Sequence, residues 1–249
     1  MAEKRPKKND SRASKKTAVK TVKRSARKTA ETVAKKTISK PREKATGKVI
    51  IKPPEKATAT LTEERFAFRE RNLPAWPKGR TTLKLYSWNV NGIRAVSKKG
   101  FFDWLDQTDP DIFCLQETRA RTPQVVRDEQ ARPLLEDDRY CWYWANAEKG
   151  GYSGVATFSK YKPVSYQSGF INDPADRNYN SEGRVMITEY PGFVLWNVYF
   201  PNGGRGPERV EYKLAFYEHC LDLWQKTRSE GKRIIITGDY NTAHKEIDL

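Results

Sequence analysis

Apolar residues follow no periodic pattern in the first quarter of the chain and recur with clear periods after it. No Phe, Trp or Tyr precedes Phe66, and residues 1–60 run in loose repeats such as KKTAVKTVKRSARKTAETVAKKT. A segment with so little to bury cannot offset the entropy of ordering its backbone, so it is expected to be disordered alone. Its Ala and Lys content would favour a transient helix on a polyanion. A polar, proline-containing linker is placed over 61–81, and order is expected from near Thr82. From there, strands are predicted over 83–89, 111–116, 154–159, 184–190, 193–199 and 233–237, the last as a buried strand. The turn Pro191-Gly192 marks 184–199 as a hairpin. Helices are expected over 100–107, from Thr122-Pro123 toward Leu135, and across the stripe Val210, Leu214, Tyr217, Leu221 and Trp224, which is predicted to pack on a sheet. Consecutive hairpin-like strands with covering helices indicate an α/β (α+β) class with packed sheets and helices outside.

Charge divides the chain at the same point. Residues 1–60 hold 20 Lys and Arg against 5 Asp and Glu, so nearly all of the formal +16 lies in the tail. Such a segment neutralises phosphates and gives sequence-independent, salt-sensitive affinity for nucleic acid; the bland alternative is a solvated charge run. The three cysteines, Cys114, Cys141 and Cys220, lack zinc-type spacing and are read as reduced, buried thiols. No apolar run reaches membrane-spanning length and no secretory signal opens the chain, so an intracellular protein with no membrane partner is expected.

Four polar clusters stand at or just beyond the ends of predicted strands. They are Asn89 and Asn91 in SWNVNGIRA, Glu117 in DIFCLQETRA, the stretch from Tyr199 to Arg205 in YFPNGGRG, and Asp239 with Asn241 in IIITGDYNTAH. A hard divalent cation takes oxygen ligands from one or two carboxylates, amides and water, which this set supplies. Phosphodiester cleavage also needs charge on the non-bridging oxygens and stabilisation of the leaving oxygen. Taken singly, Asn91-Gly92 and Gly238-Asp239 are ordinary turn chemistry and Tyr199 is an ordinary core residue. Glu117, directly after an apolar strand, needs a partner or a cation if buried.

The strings SWNVNGIRA, PDIFCLQET, GYSGVATFSK, GRVMITEY, YFPNGGRG and GDYNTAHKEIDL, in this order, closely resemble the exonuclease III and AP endonuclease family of the DNase I-like superfamily. The resemblance covers about residues 83–249. It implies a four-layer sandwich of two mixed β-sheets flanked by helices over 82–249, behind the disordered basic tail. It implies a DNA-repair nuclease that hydrolyses the phosphodiester 5′ to an abasic site and trims blocked 3′ ends. It further implies that Asn89 and Glu117, with Asp239 and Asn241, hold magnesium, or manganese in its place. Tyr199, Asp239 and Asn241 would be catalytic: Tyr199 at the scissile phosphate or leaving group, Asp239 on the attacking water, Asn241 as its partner. Asn91, Arg94, Asn202 and Arg205 would face DNA. Asn91 stands where some relatives carry an aspartate, which would weaken a second metal position.

The resemblance also implies a monomer, located in a nucleus or in a bacterial cytoplasm and nucleoid. The family's final strands, a further aspartate and a terminal S-D-H motif have no counterpart here. The expectation is a partial domain with an unpaired sheet edge, exposed apolar surface and weak or absent activity of its own. His219 and His244 are read as packing or structural residues. The alternatives kept open are a non-catalytic DNA-binding protein with a degenerate nuclease domain, and a DNase I-like phosphodiesterase acting on lipid or inositol phosphates.

Overall fold

The computed structural model describes residues 66–249, apart from Arg205, His244 and Leu249. The tail over 1–60, with its expected disorder, lies outside the described residues. In chain order the elements are β1 (Phe66–Arg69), β2 (Leu85–Asn89), α1 (Ile93–Val96), α2 (Phe101–Thr108), β3 (Ile112–Gln116), α3 (Thr122–Val126), α4 (Arg132–Glu136), β4 (Cys141–Ala145), β5 (Val155–Ser159), β6 (Ser165–Ser168), β7 (Val185–Tyr190), β8 (Phe193–Tyr199), α5 (Pro207–Ser229) and β9 (Ile234–Asp239). Two short 3-10 turns add to these, one of them at Tyr179–Glu182.

The strands form two mixed sheets, ordered β1-β4-β5-β3-β2 and β6-β7-β8-β9. Within them β2 runs parallel to β3 and β8 parallel to β9, while the remaining pairs are antiparallel. Side chains alternate across a strand, and β3 shows how the layers arise. Phe113 and Leu115 point outward into a core with Ile93, Phe101, Leu105, Val125 and Leu134 from α1 to α4. Ile112 and Cys114 point inward, against Leu195 and Tyr190 of the second sheet. On the far side, Phe216 and Cys220 of α5 pack on Val185, Val194, Trp196 and Val198. The result is the expected four-layer order of helix, sheet, sheet and helix.

A polar bridge crosses the layer between the sheets. Gln116 Nε2 donates to Asn197 Oδ1 at 2.7 Å, and Asn197 Nδ2 donates to the Ala156 carbonyl at 2.9 Å. Both side chains are buried, and hydrogen bonding is what makes such burial tolerable. The bridge lies one residue before Glu117 and two before Tyr199, so it locks the sheets together beside the residues of interest. All three cysteines are free and buried, as expected.

The structure departs from the sequence reading in several places. The stretch read as linker carries β1, paired antiparallel with β4, and Trp76, whose ring meets Tyr161 and Phe193. Strands β4 and β6 were not expected; β4 (CWYWA) is buried on both faces and so shows no alternation. The helix expected from Thr122 toward Leu135 is two helices. Arg121 takes the cap position, with its N–H held by Gln124 Oε1 at 2.9 Å, and Pro133 cannot continue a helix from the preceding turn.

On α5, Tyr217 and Trp224 of the predicted stripe do pack, but Val210, Leu214 and Leu221 are exposed. The sheet instead takes Phe216, Cys220 and Leu223, roughly a third of a turn away at 3.6 residues per turn. Phe216 supplies the reason, because its ring meets Phe170, Tyr179 and Phe200. Strand β9, expected to be buried, is half-exposed along its length because it closes its sheet; among the described residues no strand pairs with its outer edge.

Candidate active site at the ends of the parallel strands

Because β2 and β3 are parallel in one sheet and β8 and β9 in the other, four strands end together at one end of the sandwich. In register, Asn89 pairs with Gln116 and Tyr199 with Asp239. Two hydrogen bonds then join the sheets: Asn89 Nδ2 donates to Asp239 Oδ2 at 2.7 Å, and the Tyr199 hydroxyl donates to Glu117 Oε1. Asn241 closes the group. Its backbone N–H donates to Asp239 Oδ1 at 2.8 Å, and its side chain donates to the Phe200 carbonyl at 2.8 Å. Asn89 Oδ1 accepts the backbone N–H of Asn91 at 3.0 Å.

The backbone here is held in sparsely populated conformations. Asn91, Glu117, Arg119 and Asn241 all have positive φ, between 48° and 53°. Residues other than glycine persist there only when their surroundings over-determine them, and such residues cluster at functional sites. Gly238 permits the approach of β9 to β8: its φ is +139°, and a Cβ would lie 1.8 Å from the Val198 carbonyl oxygen.

The electrostatics divide the two site groups sharply. Partial burial pushes the Glu117 carboxyl up, but hydrogen bonds from Tyr199 and Asn89 and the Arg119 guanidinium outweigh it, so its pKa falls below the usual glutamate value. Burial and then the bonded Glu117 carboxylate push Tyr199 up to about 12. At neutral pH the pair is therefore an anion and a phenol O–H donor. A cleft of about 530 Å³ opens beside them, lined by Glu117, Arg119, Tyr152, Arg184, Tyr199 and Arg209, among others.

These features fit the motifs that carried the resemblance, and comparison with known proteins decides the family. The profile of the endonuclease/exonuclease/phosphatase family matches residues 86–249. The chain belongs to the endonuclease/exonuclease/phosphatase family. Among relatives in this family, an exodeoxyribonuclease of Bacillus subtilis (strain 168) is 41% identical over 172 residues, aligned with 67% of this chain and 62% of its own length. The DNA repair nuclease APEX1 of Danio rerio is 38% identical over 172 residues, covering 67% and 51%. Among solved structures, the Xenopus laevis APE2 catalytic domain superposes with a TM-score of 0.54 at 31% identity, over 66% of this chain and 60% of that one. An AP endonuclease from Archaeoglobus fulgidus gives 0.53 at 28% identity, over 68% and 61%. The relatives thus fall on the exonuclease III and AP endonuclease side of the family. The chain spans about half to three-fifths of the length of these two curated relatives.

Of the residues singled out from sequence, the fold brings together Asn89, Glu117, Tyr199, Asp239 and Asn241. Asn91 is exposed beside them. Asn202 lines the cleft, and its Oδ1 accepts the Gly204 N–H at 2.7 Å. Arg94 is exposed on α1 with no ion pair among the described residues. Arg205 lies outside the described residues.

The donor set suits a hard cation: two carboxylates and the Asn89 and Asn241 amides, with no nitrogen or sulfur ligand. No group of three or more His, Cys, Asp or Glu that could hold a metal ion gathers among the described residues. The sequence reading missed Arg119, Arg184, Arg209 and Tyr152, which line the cleft, Glu182, which bonds Arg184 and Arg209, and Gln116 and Asn197, which bridge the sheets beside it. A polar residue interrupting FVLWNVYF and an arginine opening GRVMITEY were the available signals.

Proposed function

We propose that this chain carries the catalytic face of a magnesium-dependent DNA-repair nuclease, with manganese as an alternative ion, that hydrolyses the phosphodiester 5′ to an abasic site. The products are a 3′-hydroxyl and a 5′-deoxyribose phosphate, and trimming of blocked 3′ ends follows from the same chemistry. The observation that carries the reading is the joint end of the four parallel strands, where Tyr199 bonds Glu117 and Asn89 bonds Asp239. The names of the relatives, an exodeoxyribonuclease and a DNA repair nuclease, support DNA as the substrate.

Glu117 and Asn89, with Asp239 and Asn241 beside them, would hold the ion, which when bound supplies positive charge at the non-bridging phosphate oxygens. Asp239 accepts the proton of the attacking water. Asn89 and Asn241 fix its carboxylate by one bond to each oxygen, so the base needs no reorganisation as the water attacks. Tyr199 stays protonated near neutrality because burial and Glu117 raise its pKa, and its O–H stabilises negative charge on the phosphate or the leaving oxygen. Asn91, Arg94, Asn202 and Arg205 face the duplex, and an abasic sugar enters the cleft cheaply because no base must be unstacked. The basic tail over 1–60 adds salt-sensitive affinity for DNA, and the protein acts as a DNA-associated monomer.

The test is cleavage of a duplex bearing one abasic analogue, in magnesium and in chelator, by this chain, by a longer version that carries the family's final motifs, and by the Asp239→Ala variant of the longer version. The expected result is magnesium-dependent incision 5′ to the lesion, reduced about 100- to 10,000-fold in the variant. A folded longer version that binds the duplex and never cuts it overturns the catalytic reading in favour of DNA binding alone. Faster hydrolysis of phospholipid or inositol phosphate would move the substrate to another branch of the family.

A further inference from the structure

Beside Tyr199 lies a part-buried cluster that makes no hydrogen bond to Glu117 or Asp239. Arg184, at the head of β7, is 3% exposed. Its Nη1 donates to the carbonyls of Tyr199 at 2.9 Å and Phe200 at 3.3 Å, and its guanidinium carbon lies 4.6 Å from the centre of the Tyr199 ring. The grip is reciprocal, since the Tyr199 N–H donates to the Arg184 carbonyl at 2.8 Å. The remaining edges of the guanidinium are also taken. Nε donates to Glu182 Oε2, and Nη2 to the Tyr152 hydroxyl at 2.8 Å.

The same two acceptors hold Arg209, in the first turn of α5. Its Nη2 donates to Glu182 Oε2 at 2.7 Å and to the Tyr152 hydroxyl at 3.2 Å. Arg209 lies just beyond Asn202 and Gly204, which border the cleft, so Arg209 and the Arg184 that grips Tyr199 share one carboxylate. Gly183 makes the arrangement possible. With φ at +56° and a Cβ position 2.3 Å from the Asn146 carbonyl carbon, only glycine fits between Glu182 and Arg184 and lets both side chains converge. Lysine could not replace Arg184, because a point charge cannot serve a ring face, two carbonyls, a hydroxyl and a carboxylate together.

We propose that Glu182 and Arg184 are positioning residues for Tyr199, and that Arg209 couples the cleft-bordering loop to the same network, so that the loop's position sets where the Tyr199 hydroxyl stands. This rests on the reading of Tyr199 as a group acting at the phosphate. Glu182 makes no hydrogen bond to Tyr199, so an effect of Glu182 on Tyr199 has to pass through Arg184. A merely structural role predicts loss of stability with an unchanged Tyr199.

The experiment uses the full chain labelled with ring-13C tyrosine, in wild type, Glu182→Gln, Arg184→Lys and Arg209→Met, with Tyr199→Phe identifying the Tyr199 resonance by its absence. The proposal expects the Tyr199 resonance to move in all three network variants, and kcat on the abasic duplex to fall about tenfold in Glu182→Gln with KM within about twofold. A Tyr199 resonance unchanged in the folded variants overturns it. Should Glu182→Gln fail to fold, Arg209→Met, in which the part-exposed Arg209 alone is changed, decides by the same resonance. A longer version with the family's final motifs that cuts no DNA sinks the proposed function, while the resonances still decide the positioning.

Discussion

Replacing Gly238 by alanine tests how the site is held, because two separate costs can be read from the geometry. An alanine there must adopt φ of +139°, and its Cβ would sit 1.8 Å from the carbonyl oxygen and 2.8 Å from the carbonyl carbon of Val198, its partner in the parallel ladder. Real Cβ contacts do not fall below 3.0 Å, so the end of β9 has to move away from β8 by about 1 Å, and backbone rather than a flexible side chain must give way. Conformational strain and overpacking together should cost about 2–4 kcal/mol.

Gly192 provides the control. It has φ of +108°, but a Cβ there meets nothing within 4 Å, so Gly192→Ala carries strain alone and should cost about 1 kcal/mol. Urea unfolding of the two variants measures the difference, with midpoint shifts converted through an m-value of about 2 kcal/mol/M. Asp239 follows Gly238 directly, so the same displacement should stretch its bond from Asn89 and reduce cleavage about a hundredfold, which Gly192→Ala should not do. A Gly238→Ala chain that unfolds within about 0.5 kcal/mol of wild type would refute the claim that this close approach positions Asp239.

Three further outcomes are expected. Asn197→Ala removes the bridge to Gln116 and the bond to the Ala156 carbonyl, and should destabilise the chain by about 2–4 kcal/mol in thermal or urea unfolding, since buried partners lose their hydrogen bonds. For Glu182, burial raises the carboxyl pKa but the bonds and charges of Arg209 and Arg184 lower it further, so its folded pKa lies below the ordinary value. Its stabilisation is complete above the unfolded pKa of about 4.3 and is lost as pH falls through the folded value, so the stability gap between wild type and Glu182→Gln should close in acid, as pH-dependent unfolding will show. Arg94→Ala should lower the slope of log binding constant against log salt by about 1 on duplex DNA, as measured by anisotropy; an unchanged slope would remove Arg94 from the phosphate contacts.

Local chemistry decided much of what could be read along the chain. The hairpin 184–199 was legible because Pro191-Gly192 and alternating flanks are signals within a few residues. The strand ahead of Glu117 was legible for the same reason, and the order of the short motifs pointed to the family before any residue was placed in space. The basic tail could be separated from the rest because charge and the absence of aromatics are properties of composition. Tertiary structure decided what depends on partners far away in sequence. Strand β4 has no alternation because it is covered on both sides, and β1 is a strand only because β4 lies beside it.

On α5 two neighbouring stripes were both apolar enough to pack, and the aromatic surroundings of Phe216, not the helix period, chose between them. The site shows the same division. Each polar residue was visible at a strand end, but Asn89 and Asp239 are 150 positions apart, and only parallel pairing in both sheets brings them within 2.7 Å. Arg184 and Glu182 could not be told from surface charge in the sequence, since an ion pair at spacing two says nothing about burial. The fold buries Arg184 against Tyr199 and leaves Glu182 part-exposed beside it, and that placement is what turns the pair into a support for Tyr199.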